Sequence, residues 1–313
     1  MQAVVLEEKL NFRTDYPAPA LEEKSAIVRP TLVGVCKTDL ELVKGYMGFR
    51  GVLGHEFVGV VEEASDPSWV GKRVVGEINC SPRDRIVDDP RHQDGRTVLG
   101  ILGRDGVMAS SFCLPLENLL EVPEGLSDEK AVFTEPLAAA YQIQEQVPDI
   151  PSRALVLGDG KLGALCALAL RDLGAEVVWV GKHQSKLKAL AGQVETRLKD
   201  EPLEESFPLV VEATGSESGL EMALMAVQPK GAVVLKTTVA APHSLNLSSI
   251  VINEIRLLGS RCGRFEPALR SLAEGRVDPT FLIEETYPLE QALAAFEHAA
   301  RPGAAKVLLR CGG

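Results

Sequence analysis

Short runs of Val, Ile and Leu, broken by Gly, Pro and Asp, fill the first 120 residues: Ala3–Leu6, Ser25–Val35, Val58–Glu62 and Arg73–Glu77. Runs of that length between such breakers predict β-strands. From Ser127 the pattern turns helical. Ser127 suits an N-cap, Asp128 and Glu129 suit a first turn, and Glu135–Gln146 continues as helix. Between 153 and 262 apolar strands alternate with helical runs. Strands are predicted at Ala154–Leu157, Glu176–Val180, Leu209–Glu212, Ala232–Lys236 and Arg256–Ser260, with a helix at Ala164–Leu173. Such alternation implies a parallel sheet covered by helices on both faces. The tail adds a helix at Leu289–Ala300 and a strand at Lys306–Arg310, read as rejoining the β-rich half. The fold class is therefore α/β, in two domains: 1–136 completed by 280–313, and 137–279. A chain of 313 residues is long enough for two cores. Residues 90–96, Pro-Arg-His-Gln-Asp-Gly-Arg, read as a mobile loop.

Residues 153–163 run from a short apolar strand into G-x-G-x-x-G, with Gly158, Asp159, Gly160, Lys161, Leu162 and Gly163 forming the turn. Glycine there permits a tight turn, close approach of a pyrophosphate to the backbone, and helix–strand packing. The following helix offers free N–H groups and the positive end of its dipole to phosphate. A second strand stands where a βαβ unit requires it, so a dinucleotide is the expected ligand. An NAD site usually has Asp or Glu near the end of that second strand, on the ribose 2′-OH. Here the strand runs into Gly181, Lys182 and His183, with no carboxylate and at least one cation. That favours the 2′-phosphate of NADP(H) over NAD(H), although Lys182 on a solvated loop is the plainer reading.

The net charge of −11 argues against a nucleic-acid partner, which needs a basic face. Neither a signal peptide nor an apolar run of membrane-spanning length is seen. The cysteines Cys36, Cys80, Cys113, Cys166, Cys262 and Cys311 are scattered without a C-x-x-C pair. Free thiols in a cytoplasmic protein are expected.

Three segments of the first half hold potential metal ligands: Cys36 in Gly-Val-Cys-Lys-Thr-Asp, His55 and Glu56 in Gly-His-Glu-Phe-Val-Gly, and Glu135 in Thr-Glu-Pro-Leu-Ala. Cys, His and Glu are zinc donors, and a catalytic zinc uses about three of them and keeps a position open. Each also has a plainer reading: Cys36 as a buried thiol, His55 as a core histidine, Glu135 as a charge favoured at a helix N-terminus. Spacing alone does not choose between them.

The order and separation of G-V-C-x-T-D, G-H-E-F-x-G-x-V, T-E-P-L-A and G-D-G-K-L-G resemble the zinc-dependent medium-chain dehydrogenases, the alcohol and polyol dehydrogenase superfamily, over essentially the whole chain. The resemblance implies a GroES-like β-barrel catalytic domain and a Rossmann domain with a doubly wound parallel sheet. It implies one catalytic zinc on Cys36 and His55, the shell completed by Glu56, Glu135 or water. It also implies that Thr38 hydrogen-bonds the substrate alcohol and that Asp39 orients His55. Thr214 and Gly215, after the strand ending at Glu212, are expected to line the cofactor cleft, and Arg261 to approach the nicotinamide. The implied reaction moves hydride between an alcohol or polyol and a nicotinamide, in a homo-oligomer (dimer or tetramer).

Two departures stand out. Relatives often hold a structural zinc on four close cysteines, whereas the matching stretch, residues 79–85, contains Cys80 alone. No structural zinc is expected, because one cysteine cannot build a closed four-ligand site. Glu41 stands where some alcohol dehydrogenases end a proton relay with histidine; it reads as an exposed charge more readily than as a relay. Two rival functions remain at this stage: a zinc-free quinone or enoyl reductase of the same superfamily, and a non-catalytic dinucleotide-binding protein. The ligand set argues against both.

Overall fold

The computed structural model describes residues 1–82, 85, 87–237 and 247–312. The chain divides into two compact units, Met1–Glu135 with Ala268–Gly313, and Pro136–Pro267.

The first unit is built on antiparallel strands. Strand Ser25–Val35 is its spine: Glu56–Ala64 pairs along one edge, and Phe112–Pro115 and Lys306–Arg310 share the other. Ile283–Pro288 extends the sheet parallel to Lys306–Arg310. Arg73–Gly76 and Leu119–Glu121 continue it beyond Glu56–Ala64. The side chains of Val28, Leu32, Val33 and Val35 are fully or almost fully withdrawn from solvent, as are Val58 and Val61 on the facing strand. Burial of that apolar surface is the main force holding this sheet. The register sets Gly34 opposite Glu56 and Val35 opposite Val307. It therefore brings both ends of the chain's first unit to the start of a short helix, Lys37–Val43.

The second unit is a six-stranded, wholly parallel sheet. Its spatial order is Glu195–Leu198, Glu176–Gly181, Arg153–Leu157, Phe207–Glu212, Val227–Leu235 and Arg256–Gly259. Chain order reverses direction at Arg153–Leu157, which places a topological switch point beside that strand's carboxyl end. The central strands are covered on both faces, so they read as unbroken apolar runs: Ala154, Leu155, Val156 and Leu157 are all buried. Helix Lys161–Asp172 is buried from Gly163 to Leu170 and ends at Gly174, whose φ of +92° suits a helix C-terminus.

Several elements differ from the pattern-based expectation. The helix after the glycine turn starts at Lys161, inside the motif, because Gly160 serves as its N-cap. Ser127 occupies an N-cap position but its side chain makes no capping bond, and only Asp128–Ala131 forms a turn before the helix Thr134–Gln146. The return to the first unit begins at Ala268, ahead of residue 280. The expected tail helix is a 3-10 turn, Leu289–Gln291, followed by the helix Ala292–Ala299. Within 90–96, Pro90–His92 forms a 3-10 turn in which Arg91 is buried and ion-paired with Asp89.

Candidate functional site

The glycine turn is fixed by contacts that leave no room for side chains. Gly158 has φ +113°, and a Cβ there would stand 2.5 Å from the Ala213 carbonyl oxygen and 2.9 Å from Thr214 Cα. A Cβ on Gly163 would overlap the Gly158 carbonyl oxygen, which also accepts a 2.8 Å bond from Trp179 Nε1. Gly160 differs, since nothing lies within 4 Å of its Cβ position. Gly160 is also the N-cap of helix Lys161–Asp172, whose N-terminus can receive a phosphate.

Thr214 thus lies against the glycine turn. Its N–H and its hydroxyl both donate to Glu212 Oε1, at 2.8 and 2.6 Å, and Gly215 N–H donates to Thr237 Oγ1. Arg261, exposed, follows Arg256–Gly259 at the same carboxyl edge, three strands along from the turn. Asp159 leaves the turn altogether. Its Oδ2 accepts from the backbone N–H of Lys182 and of His183, both at 2.7 Å, and from His183 Nδ1 at 2.9 Å. Partial burial works against the ionised form of Asp159, but these donors outweigh it and hold its pKa below the usual range. Lys182 and His183 carry exposed side chains.

In the first unit, Cys36 is the N-cap of helix Lys37–Val43 and Asp39 is its third helical residue. Asp39 is fully buried. Its Oδ2 accepts the Cys36 N–H at 2.8 Å, and its Oδ1 stands 3.4 Å from His55 Nδ1. One carboxylate therefore bonds Cys36 and stands beside His55, whose Nδ1 has no hydrogen-bond partner. Burial opposes the charged form of His55, yet Asp39 and Cys36 prevail and raise its pKa well above 6.5. Ligand atoms of Cys36, His55 and Glu56 lie within 4.8 Å of one another. A thiol, an imidazole and a carboxylate suit zinc. Glu56 Oε1 is buried without a hydrogen-bond partner, a further sign of a missing cation. Thr38 Oγ1 lies 3.7 Å from Cys36 Sγ.

Glu56 is not free. Lys306 Nζ donates to its Oε2 at 2.5 Å, with both side chains almost wholly buried. Gly34 makes the space, because a Cβ there would overlap Glu56 Oε2. Sequence reasoning missed Lys306, which sits in an apolar strand and reads as a solvated lysine. Glu135 falls outside the 4.8 Å group. Enclosure raises its pKa to about 7, with His55 and Lys306 lowering it and Glu56 and Asp39 raising it. It is thus close enough to feel all four groups.

Glu41 pairs with Lys44 at 3.0 Å on the exposed side of the helix. None of the six cysteines forms a disulfide. Among the described residues, no second group of three potential ligands meets the spacing of Cys36, His55 and Glu56. In the stretch 79–85, Arg83 and Asp84 lie outside the described residues. No helix among the described residues is long and apolar enough to cross a membrane.

Residues 22–124 match the alcohol dehydrogenase GroES-like domain. Over 254 residues the chain is 34% identical to glucose 1-dehydrogenase of Methanocella arvoryzae, covering 71% of this chain and 70% of the relative. It is 24% identical to sorbitol dehydrogenase of Mus musculus, over 95% and 92% of the two chains. Among solved structures, alcohol dehydrogenase TADH from Thermus sp. ATN1 superposes over 100% of both chains with a TM-score of 0.89 and 28% identity.

Proposed function

The chain belongs to the zinc-dependent medium-chain dehydrogenases of the alcohol and polyol superfamily, and from that premise we propose an NADP(H)-preferring, single-zinc dehydrogenase of a polyol or related alcohol. The observation that carries the metal is the group Cys36, His55 and Glu56 with Asp39 behind it. Cys36 and His55 would hold the ion. Glu56, whose Oε1 is buried without a partner while Lys306 holds Oε2, Glu135 or water would complete the shell. The polyol class follows the glucose and sorbitol dehydrogenases among the relatives.

Zinc bound there supplies a Lewis acid that favours an ionised alcohol, and the nicotinamide supplies the hydride acceptor. The chain's own residues do the rest. Thr38 Oγ1, beside Cys36, takes up the substrate's hydroxyl proton and passes it towards solvent. Asp39 keeps His55 in one orientation and one tautomer. The backbone of Gly158–Gly163 and the N-terminus of helix Lys161–Asp172 hold the pyrophosphate. Lys182 and His183, exposed and without a competing carboxylate from their own strand, take the 2′-phosphate; Arg261 stands towards the nicotinamide end of the same edge.

A cytoplasmic location accords with six cysteines that form no disulfide. Self-association is supported by the second unit's edge strand, Arg256–Gly259, which pairs on one side alone among the described residues. The neighbouring helix exposes Val251 and Ile252, at 73% and 77%. An unpaired edge beside exposed apolar side chains is a ready surface for a second copy.

The deciding experiment combines elemental analysis with a panel of alcohols, polyols and aldehydes assayed with both cofactors. One zinc per chain and a higher kcat/KM with NADP(H) are expected. Turnover that persists in a metal-free His55→Ala variant would move the chain to the zinc-free reductases. A preference for NAD(H) that Lys182→Ala leaves unchanged would overturn the cofactor assignment.

A further inference from the structure

The strand Glu176–Gly181 ends without an acidic residue, yet a carboxylate reaches that end from elsewhere. Asp159, the first variable residue of the glycine turn, folds across Gly181 and meets the loop beyond it. Gly181 has to be glycine for this crossing. A Cβ on Gly181 would stand 2.8 Å from both Cγ and Oδ2 of Asp159. The two positions are 22 residues apart and make one device: the missing side chain at Gly181 is the space that the Asp159 side chain fills.

We infer that Asp159 is the positioning residue for cofactor specificity, holding Lys182 and His183 in place for an adenosine 2′-phosphate. This rests on the NADP(H) reading above and extends it. Three donors converge on Asp159 Oδ2: two consecutive backbone N–H groups and the ring nitrogen Nδ1 of His183. Two backbone bonds to a single oxygen fix the loop that carries Lys182 and His183. The third turns the His183 ring so that Nδ1 faces Asp159. Charge-assisted bonds of this kind are stronger than neutral ones.

The sign of the effect separates this role from simple electrostatics. A carboxylate near a phosphate repels it, so removing a merely adjacent charge would tighten the binding of a 2′-phosphate. Here the charge is engaged by three donors. Its removal frees the loop and the ring, and binding weakens.

The test measures binding directly, without turnover, by calorimetric titration of the full-length protein with 2′,5′-ADP and with 5′-AMP. The unaltered protein is expected to prefer 2′,5′-ADP. Asp159→Ala is expected to weaken 2′,5′-ADP roughly tenfold or more while leaving 5′-AMP within about twofold, a loss of the order of one charged hydrogen bond. Asp159→Asn, which keeps an acceptor oxygen but no charge, should fall between, and serves if the alanine variant does not fold. Gly181→Ala should act in the same direction, since its Cβ displaces Asp159 without removing it. Tighter or unchanged 2′,5′-ADP binding in Asp159→Ala overturns the inference alone. Equal weakening of both probes also overturns it, by reducing Asp159 to a structural part of the turn. Equal binding of the two probes by the unaltered protein overturns the NADP(H) reading and this inference together.

Discussion

Lys306 Nζ and Glu56 Oε2, 250 positions apart in the chain, form an ion pair at 2.5 Å with both side chains buried. Phe133 closes one side, its ring centroid 5.8 Å from the ammonium. Burial disfavours the charged form of Lys306, but Glu56, Cys36 and Glu135 nearby raise its pKa above the ordinary lysine value. The pair balances charge beside Cys36 and Glu135.

Removing one partner leaves an uncompensated buried charge. Lys306→Met should therefore destabilise the protein by about 3–5 kcal/mol, whereas Lys306→Met combined with Glu56→Gln should recover a large part of that loss. Urea denaturation of the two variants measures both. A single variant as stable as the unaltered protein would mean that Glu56 gains another partner.

Metal uptake should depend steeply on pH. In the metal-free protein the His55 pKa lies well above 6.5, so its pair with Asp39 contributes stability fully below about pH 6.5 and loses it as pH rises through the raised value. Zinc requires the neutral imidazole, so its affinity should climb over the same range. Thermal melting of chelator-treated and zinc-loaded samples from about pH 6 to 9 checks this: the difference in Tm should widen with pH. A gap independent of pH would show that His55 is not a ligand.

Thr38→Val and Cys36→Ser should fail in different ways. Thr38→Val keeps the shape and the metal but removes the hydroxyl, and should lower kcat about a hundredfold or more. Cys36→Ser should lose zinc as well as turnover. Both should bind nucleotide normally, because the glycine turn belongs to the other compact unit. Zinc analysis beside steady-state oxidation separates the two.

Gly163→Ala and Gly160→Ala form a matched pair. A Cβ at Gly163 runs into the Gly158 carbonyl oxygen, so the turn must shift, at a cost of about 1–3 kcal/mol. At Gly160 the same Cβ meets nothing within 4 Å, and stability should change by no more than about 0.5 kcal/mol. Nucleotide binding should nevertheless weaken in Gly160→Ala, because the second glycine of this motif lets a pyrophosphate come close to the backbone. Unchanged nucleotide affinity there would place the pyrophosphate elsewhere.

The parallel sheet was legible because strands buried on both faces leave continuous apolar runs, as at Ala154–Leu157. Strand Glu195–Leu198 reads Glu-Thr-Arg-Leu at the edge of the sheet, and half-solvated polar residues leave no such run. Ile283–Pro288 escapes for the same reason. Helix Lys37–Val43 was hidden because its N-cap is a cysteine rather than a common capping residue. At the site, Cys36 and His55 stood out as metal-donor types, while the resemblance alone chose them as ligands and gave Asp39 its role. Lys306 could not, since its burial depends on a partner 250 positions away. Asp159 was visible within the glycine motif, but its reach was not. The available signal was Gly181, a glycine closing an otherwise apolar strand.

The sheet register also sets a timetable for synthesis. Val35, one residue before Cys36, pairs with Val307, and Lys306 neutralises Glu56. Cys36, His55 and Glu56 leave the ribosome early, but the strand and the countercharge that complete their surroundings lie 250 positions later. At ordinary translation rates the gap is roughly 12 to 50 s. During it Val35 lacks its partner strand and Glu56 its countercharge. The surroundings of Cys36, His55 and Glu56 are therefore finished only when the last strand arrives.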